Sequence, residues 1–419
     1  MGTRQTFISL GQNINSVLYE PLTFSEKSRI AIIIMHSDAD YLAFPMGNEM
    51  AERGYKVLCA NVSDKSAGLD RKIYEVKSAV TRMRDEGGVS KVILMGHSGG
   101  GTLMTAYQSI AENGVKIFQG PDKLIPFPDF ESDLPPANGL MLLDSNFGIA
   151  AMSLFSLDPA LKDEESGFII DGTLDLWNPE NGFKPGGSFY SAKFIKRFQK
   201  AQGERNNRLI KKALERLELI KSGKGRYADD EPFIVPGAEQ GFLNNKLYAQ
   251  DTRLMSHTKK AWPLLKAGGA VSTEIICSIR KPENNESLTA SYKQGALITT
   301  VRNYLTSYAV RTTEDYGYDE DSVFGIDWSS SWNCVPGNIR RVAVPLLIMG
   351  MTGNWEYLAS ETIYENAESN DKTMAFVEGA GHLFTPAVHC EKYPGEFGDT
   401  QNIVFDYVDK WLSQNNRFV

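Results

Sequence analysis

The chain of 419 residues has only 4 cysteines and 5 histidines, and its 44 Lys and Arg are outnumbered by 52 Asp and Glu. Cys59, Cys277, Cys334 and Cys390 stand far apart without a CxxC pair. That spacing argues against a zinc site or a disulfide scaffold and fits a reduced, cytoplasmic compartment. A net charge of -8 argues against the concentrated basic surface that DNA or RNA requires, so no nucleic-acid partner is expected. No apolar run approaches the ~20 residues needed to span a bilayer. The first residues, Met1-Gly2-Thr3-Arg4-Gln5-Thr6, lack the apolar stretch of a secretory signal, and no membrane partner is expected. Asp38 and Asp40 share a loop, but no histidine or third carboxylate follows at a matching spacing, so neither a metal nor another cofactor is expected.

What is present is an alternation of buried strands and helices. Thr6 to Leu10 and Ser16 to Tyr19 read as an edge hairpin, and the unbroken apolar run Ile30 to Met35 reads as a strand covered on both faces. Phe44 to Arg53 predicts a helix, Tyr55 to Ala60 a strand, Leu69 to Arg84 a helix and Val92 to Met95 another strand. Gly139 to Asp144 is a further buried strand. This rhythm predicts a mostly parallel, doubly wound sheet of the α/β class.

After Asp144 the rhythm stops for roughly 190 residues, well beyond the ordinary range of loops. Leu209, Ile210, Ala213, Leu214, Leu217 and Ile220 share one face of a helix whose other face is charged, and aromatic and Gly/Pro-rich stretches flank it. The segment reads as a folded, mainly helical cap over residues 149-339, inserted into a core made of 1-148 and 340-419. The core rhythm resumes at Val344 to Gly350, then a helix near Ser360 to Glu368, the strand Thr373 to Val377, and a final amphipathic helix from about Asn402 to Leu412.

Gly96-His97-Ser98-Gly99-Gly100 follows the Val92 to Met95 strand and fits the pattern G-x-S-x-G, in which a serine occupies a sharp strand-to-helix turn. Side chains two residues either side of that serine would collide with neighbouring backbone, which explains the glycines. A helix from Thr102 to Asn113 would point its positive end at Ser98. Val344-Pro345-Leu346-Leu347-Ile348-Met349-Gly350 and Gly379-Ala380-Gly381-His382 then close two later strands. In this order the parts resemble the α/β-hydrolase fold, serine esterase-like, with a large cap insertion.

The resemblance implies Ser98 as nucleophile and His382 as its general base, because a serine hydroxyl attacks efficiently only when an imidazole takes its proton. His36, His97, His257 and His389 are expected to be structural or exposed, with His36 on the floor of the site. At the family's usual place for the acid the chain reads Met351-Thr352-Gly353-Asn354-Trp355-Glu356, without aspartate. Glu356 is the favoured third member, and Asp144, at the end of the preceding strand, is its rival. Two N–H donors should form the oxyanion hole, Gly99 supplying one and the loop His36-Ser37-Asp38 the other, from Asp38 or Ser37.

The function implied is hydrolysis of a carboxylic ester or lactone through an acyl-enzyme at Ser98. Trp177, Trp262, Trp328 and Trp332 would suit a sizeable, partly apolar or aromatic small-molecule substrate, or else form the core of the cap itself. Amide cleavage, C–C bond hydrolysis and acyl transfer use the same triad, and a catalytically silent ligand-binding protein is the alternative of a different class. A homo-oligomer is left open.

Overall fold

The computed structural model describes residues 2–11, 13–129, 133–165, 168–238, 246–282, 295–414 and 417–418. Its centre is a sheet of ten strands among the described residues: β1 (Thr3–Ser9), β2 (Asn15–Pro21), β3 (Ile30–Met35), β4 (Lys56–Ala60), β5 (Lys91–Ser98), β6 (Gly139–Ser145), β8 (His257–Leu265), β9 (Val271–Cys277), β13 (Leu346–Met351) and β14 (Lys372–Val377). They run in the order β1-β2-β4-β3-β5-β6-β13-β14-β8-β9. Every neighbouring pair from β4 to β8 is parallel, and the outer pairs β1–β2, β2–β4 and β8–β9 are antiparallel. A mostly parallel sheet needs cover on both faces, and the apolar strands supply side chains to both. Along β3, Ala31, Ile33 and Met35 enter one core while Ile30, Ile32 and Ile34 enter the other.

Helices α2 (Leu69–Arg84) and α3 (Gly100–Asn113) and the helix Tyr357–Asn366 contribute to the first core. Helix α1 (Pro45–Glu52) and the helix Thr400–Ser413 contribute to the second, where Met46, Met50, Val404, Phe405 and Trp411 are almost wholly buried. This is a mixed, mostly parallel sheet with an insertion between β6 and β13, as in an α/β-hydrolase-like core carrying a cap.

The insertion is organised around α5 (Ala192–Lys221), whose Ser191 caps the first turn by accepting from the Phe194 N–H at 3.2 Å. Leu209, Ile210, Ala213, Leu217 and Ile220 pack beneath it with Phe233, Val235 and Tyr304. Helix α4 (Ile149–Ser156) and the strand pairs β7 (Pro232–Pro236) with β10 (Ala296–Thr300) and β11 (Thr312–Tyr318) with β12 (Val323–Ile326) complete it. Residues 257–277 depart from the expected cap. They form β8 and β9, which extend the central sheet beyond β14, so Trp262 and His257 lie on a core strand. No helix among the described residues is long and apolar enough to cross a membrane.

Candidate active site

Strand β5 ends at Ser98 and α3 begins two residues later, so the chain reverses within a single turn. Ser98 takes φ of 52°, a left-handed conformation that costs an L-residue energy and persists only where the surroundings enforce it. The glycines do the enforcing. A Cβ at Gly96 would stand 2.6 Å from Gly101 Cα, one at Gly100 would stand 2.7 Å from the Met35 carbonyl oxygen, and one at Gly101 would strike the side chain of Ser145. Only a chain without side chains at these points lets α3 fold back so closely on β3, β5 and β6. Gly99, the residue before α3, carries one of the N–H groups that a helix leaves without an internal partner.

On the neighbouring strand, Asp144 is also left-handed, with φ of 48°, and is fully buried. Its carboxylate accepts from the Met351 N–H at 3.1 Å and the Asn354 amide at 2.7 Å, and Oδ2 lies 2.8 Å from His382 Nδ1. Glu356, also buried, places Oε2 3.2 Å from the same ring nitrogen. The parallel pairing of β6 with β13 brings the Asp144 strand end beside the loop that carries Asn354 and Glu356. Both candidate acids therefore meet His382, and the shorter contact belongs to Asp144.

Burial and the Asp144 charge push the Glu356 carboxyl above the usual carboxylate range, against the pull of His382. For His382, burial works toward the neutral ring, but Glu356 and Asp144 outweigh it and the imidazole is raised. Two buried carboxylates and one imidazole can also hold a metal ion by donor type, and among the described residues this trio is the group with that potential. Within it, His382 Nδ1 and Asp144 Oδ2 are hydrogen-bonded to each other.

His97, the residue before Ser98, packs against His382. Its ring centroid is 4.4 Å from that of His382, and its Nε2 donates to the His382 carbonyl oxygen at 2.7 Å. Complete burial holds the His97 ring neutral. Among the described residues no hydrogen bond joins the Ser98 hydroxyl to the His382 imidazole. His97, expected to be structural or exposed, has its partner 285 residues away, and nothing local signals it.

The loop after β3 departs from expectation in one respect. The Asp38 N–H, expected as the second oxyanion donor, points at His36 Nδ1 at 3.1 Å, as does that of Ala39 at 3.0 Å. An N–H engaged in this way is held by the protein, and Ser37 is the other residue expected for the role. A Cβ built on Gly99 would stand 3.0 Å from Ser37 Oγ and 3.1 Å from His36 Nε2, so the β3 loop and the Ser98 turn are in close contact.

Ser98 and Gly99 line a cavity of about 330 Å³ together with residues of the β3 loop, α2, α4 and the cap. Its wall is polar and apolar in about equal measure, and none of Trp177, Trp262, Trp328 and Trp332 belongs to it. Trp177, Trp328 and Trp332 are buried within the first core, and Trp262 is half-buried on β8 with its indole N–H donating to Glu361 at 2.7 Å. These rings serve packing. Asn146, which also reaches the Glu356 side chain, is part of the cavity wall.

No family model matches the sequence, and no curated protein matches it. Among solved structures the chain is similar to a siderophore hydrolase, EstB, from Aspergillus fumigatus (12% identity, 98% of each chain covered, TM-score 0.43). It is also similar to a hypothetical protein, PA2218, from Pseudomonas aeruginosa (12% identity, 98% of this chain and 92% of that one, TM-score 0.42) and to Est1E from Butyrivibrio proteoclasticus (11% identity, 97% of each, TM-score 0.41). Likeness at this level carries nothing about the chemistry of the site.

Proposed function

We propose that the protein is a serine hydrolase that cleaves a carboxylic ester or lactone of a small molecule through an acyl-enzyme at Ser98. The observation that carries this reading is the left-handed Ser98 at the β5–α3 turn, beside strand β6, whose Asp144 grips the imidazole of His382 at Nδ1. With the Nδ1 proton donated to Asp144, the lone pair of Nε2 is free to take the Ser98 proton during attack. The developing oxyanion is met by the Gly99 N–H, the positive end of α3 and the Ser37 N–H. His382 then returns the proton to the leaving oxygen, and a water deprotonated by the same imidazole releases the acid. Catalytic hydrogen bonds are often long without substrate and tighten in its complex, which accommodates the missing Ser98–His382 bond.

Asp144 is assigned as the acid that orients the ring, and Glu356 as a second carboxylate that holds charge beside it. Release of 4-nitrophenol from 4-nitrophenyl butyrate tests the reading. Ser98→Ala should lower kcat by about a thousandfold or more. Equal turnover by wild type and Ser98→Ala would remove Ser98 from the chemistry.

A further inference from the structure

Helix α2 turns a stripe of Leu69, Ile73, Val76, Ala79, Val80 and Met83 toward the core, and Lys72 lies on that same buried face. Only 6% of Lys72 is exposed. An apolar side chain would satisfy the packing at such a position, and a buried ammonium ordinarily requires an opposite charge in contact. Lys72 has none: its Nζ donates to the Lys65 carbonyl oxygen at 2.8 Å, and among the described residues it forms no ion pair. Among the described residues, two of its three N–H donors have no hydrogen-bond partner. Burial pulls its ionisation down, and Asp38, Asp64, Glu75 and Asp70 offset this only from a distance.

Lys72 borders the cavity that holds Ser98 and Gly99, and Lys65 stands in the same wall. Asp38, the carboxylate among the described residues of that wall, has Oδ1 2.9 Å from His36 Nδ1. Two cations and one anion therefore line the space, together with Ser307 and Asn303 of the cap. We propose that the substrate carries a second, anionic group, a carboxylate or phosphate, which enters this cavity and pairs with Lys72 while its ester meets Ser98. This deepens the hydrolase reading and rests on it for the ester. The apolar half of the wall, with Leu69, Ile149 and Met152, leaves room for the apolar part of such a substrate. A neutral acyl chain would leave the buried ammonium as poorly solvated as before, whereas an anion supplies its missing partner at the moment of binding.

The test compares 4-nitrophenyl hydrogen adipate with its neutral counterpart, 4-nitrophenyl methyl adipate, in wild type, Lys72→Met, Lys72→Gln and Lys72→Arg. Wild type should favour the acidic ester at least tenfold in kcat/KM. That ratio should fall tenfold or more in Lys72→Met and in Lys72→Gln, whichever folds, and stay within about threefold of wild type in Lys72→Arg. A wild-type ratio near one, or a ratio unmoved by loss of the charge, would overturn the proposal. If wild type hydrolyses neither ester, the hydrolase reading fails, and titration calorimetry with adipate and with inorganic phosphate decides the anion site by itself. Binding lost in Lys72→Met supports it, and the tighter of the two probes identifies the anion. Heats that are absent, or equal in wild type and variant, overturn it.

Discussion

His97 Nε2 donates to the carbonyl oxygen of His382 across 2.7 Å. A carbonyl only accepts, so the His97 proton sits on Nε2 and its Nδ1 accepts from the Tyr41 hydroxyl at 2.5 Å. The residue before Ser98 thus anchors the backbone of the loop that carries the proposed base, and Tyr41 fixes the tautomer that makes this possible.

Replacing His97 by Leu leaves the buried Tyr41 hydroxyl and the His382 carbonyl without their partner. The expected cost is about 1–3 kcal/mol of stability, read as a lower denaturant midpoint. Ester turnover should also fall, by roughly a hundredfold if the imidazole shifts by about 1 Å. Unchanged turnover in a folded His97→Leu protein would show that the bond does not position His382.

The two carboxylates on His382 Nδ1 are expected to differ in weight. Asp144→Asn should lower kcat on 4-nitrophenyl butyrate by about 10³ to 10⁴, because an amide no longer holds the required tautomer. Glu356→Gln should cost roughly tenfold or less. The reverse order of effects would transfer the orienting role to Glu356.

The pH profile follows from the raised imidazole. A protonated His382 cannot take the Ser98 proton, so turnover should rise with pH as the ring loses its charge. Burial opposes that charge while Glu356 and Asp144 sustain it. Removing the Glu356 charge should therefore lower the His382 ionisation, and the acid limb of Glu356→Gln should move to lower pH. An acid limb that stays in place or moves upward would contradict the coupling.

The tight turn predicts a contrast between glycines. Gly96→Ala forces a methyl to within 2.6 Å of Gly101 Cα and should destabilise by about 1–3 kcal/mol or more, with loss of activity. Gly87, on the loop before β5, has nothing within 4 Å of a built Cβ, and Gly87→Ala should stay within about 0.5 kcal/mol of wild type. Thermal or denaturant unfolding measures both.

Elements whose pattern is local were legible in the sequence. The apolar runs of β3, β5, β6 and β13 and the helical stripe of α2 announced themselves, since burial on two faces or on one stripe leaves a direct imprint on residue order. Strand β8 did not. His257-Thr258-Lys259-Lys260-Ala261-Trp262-Pro263 mixes charges with a proline, as befits a strand that meets β14 only at Leu264 and Leu265. In the site, Ser98 and its glycines stood in one motif, whereas the choice between Asp144 and Glu356 depended on which loop reaches a ring 238 residues further on. A still longer separation, 285 residues, concealed the His97–His382 bond. Lys72 was hidden for the opposite reason: one lysine in an amphipathic helix reads as solvated surface until the cavity beside it is seen.

Covalent labelling of Ser98 tests the central claim most directly. Wild type incubated with an alkyl fluorophosphonate and read by intact-protein and peptide mass spectrometry should gain one phosphonyl group on the peptide containing Ser98, and Ser98→Ala should gain none. An unlabelled wild-type protein, or a label carried equally by Ser98→Ala, would contradict the account.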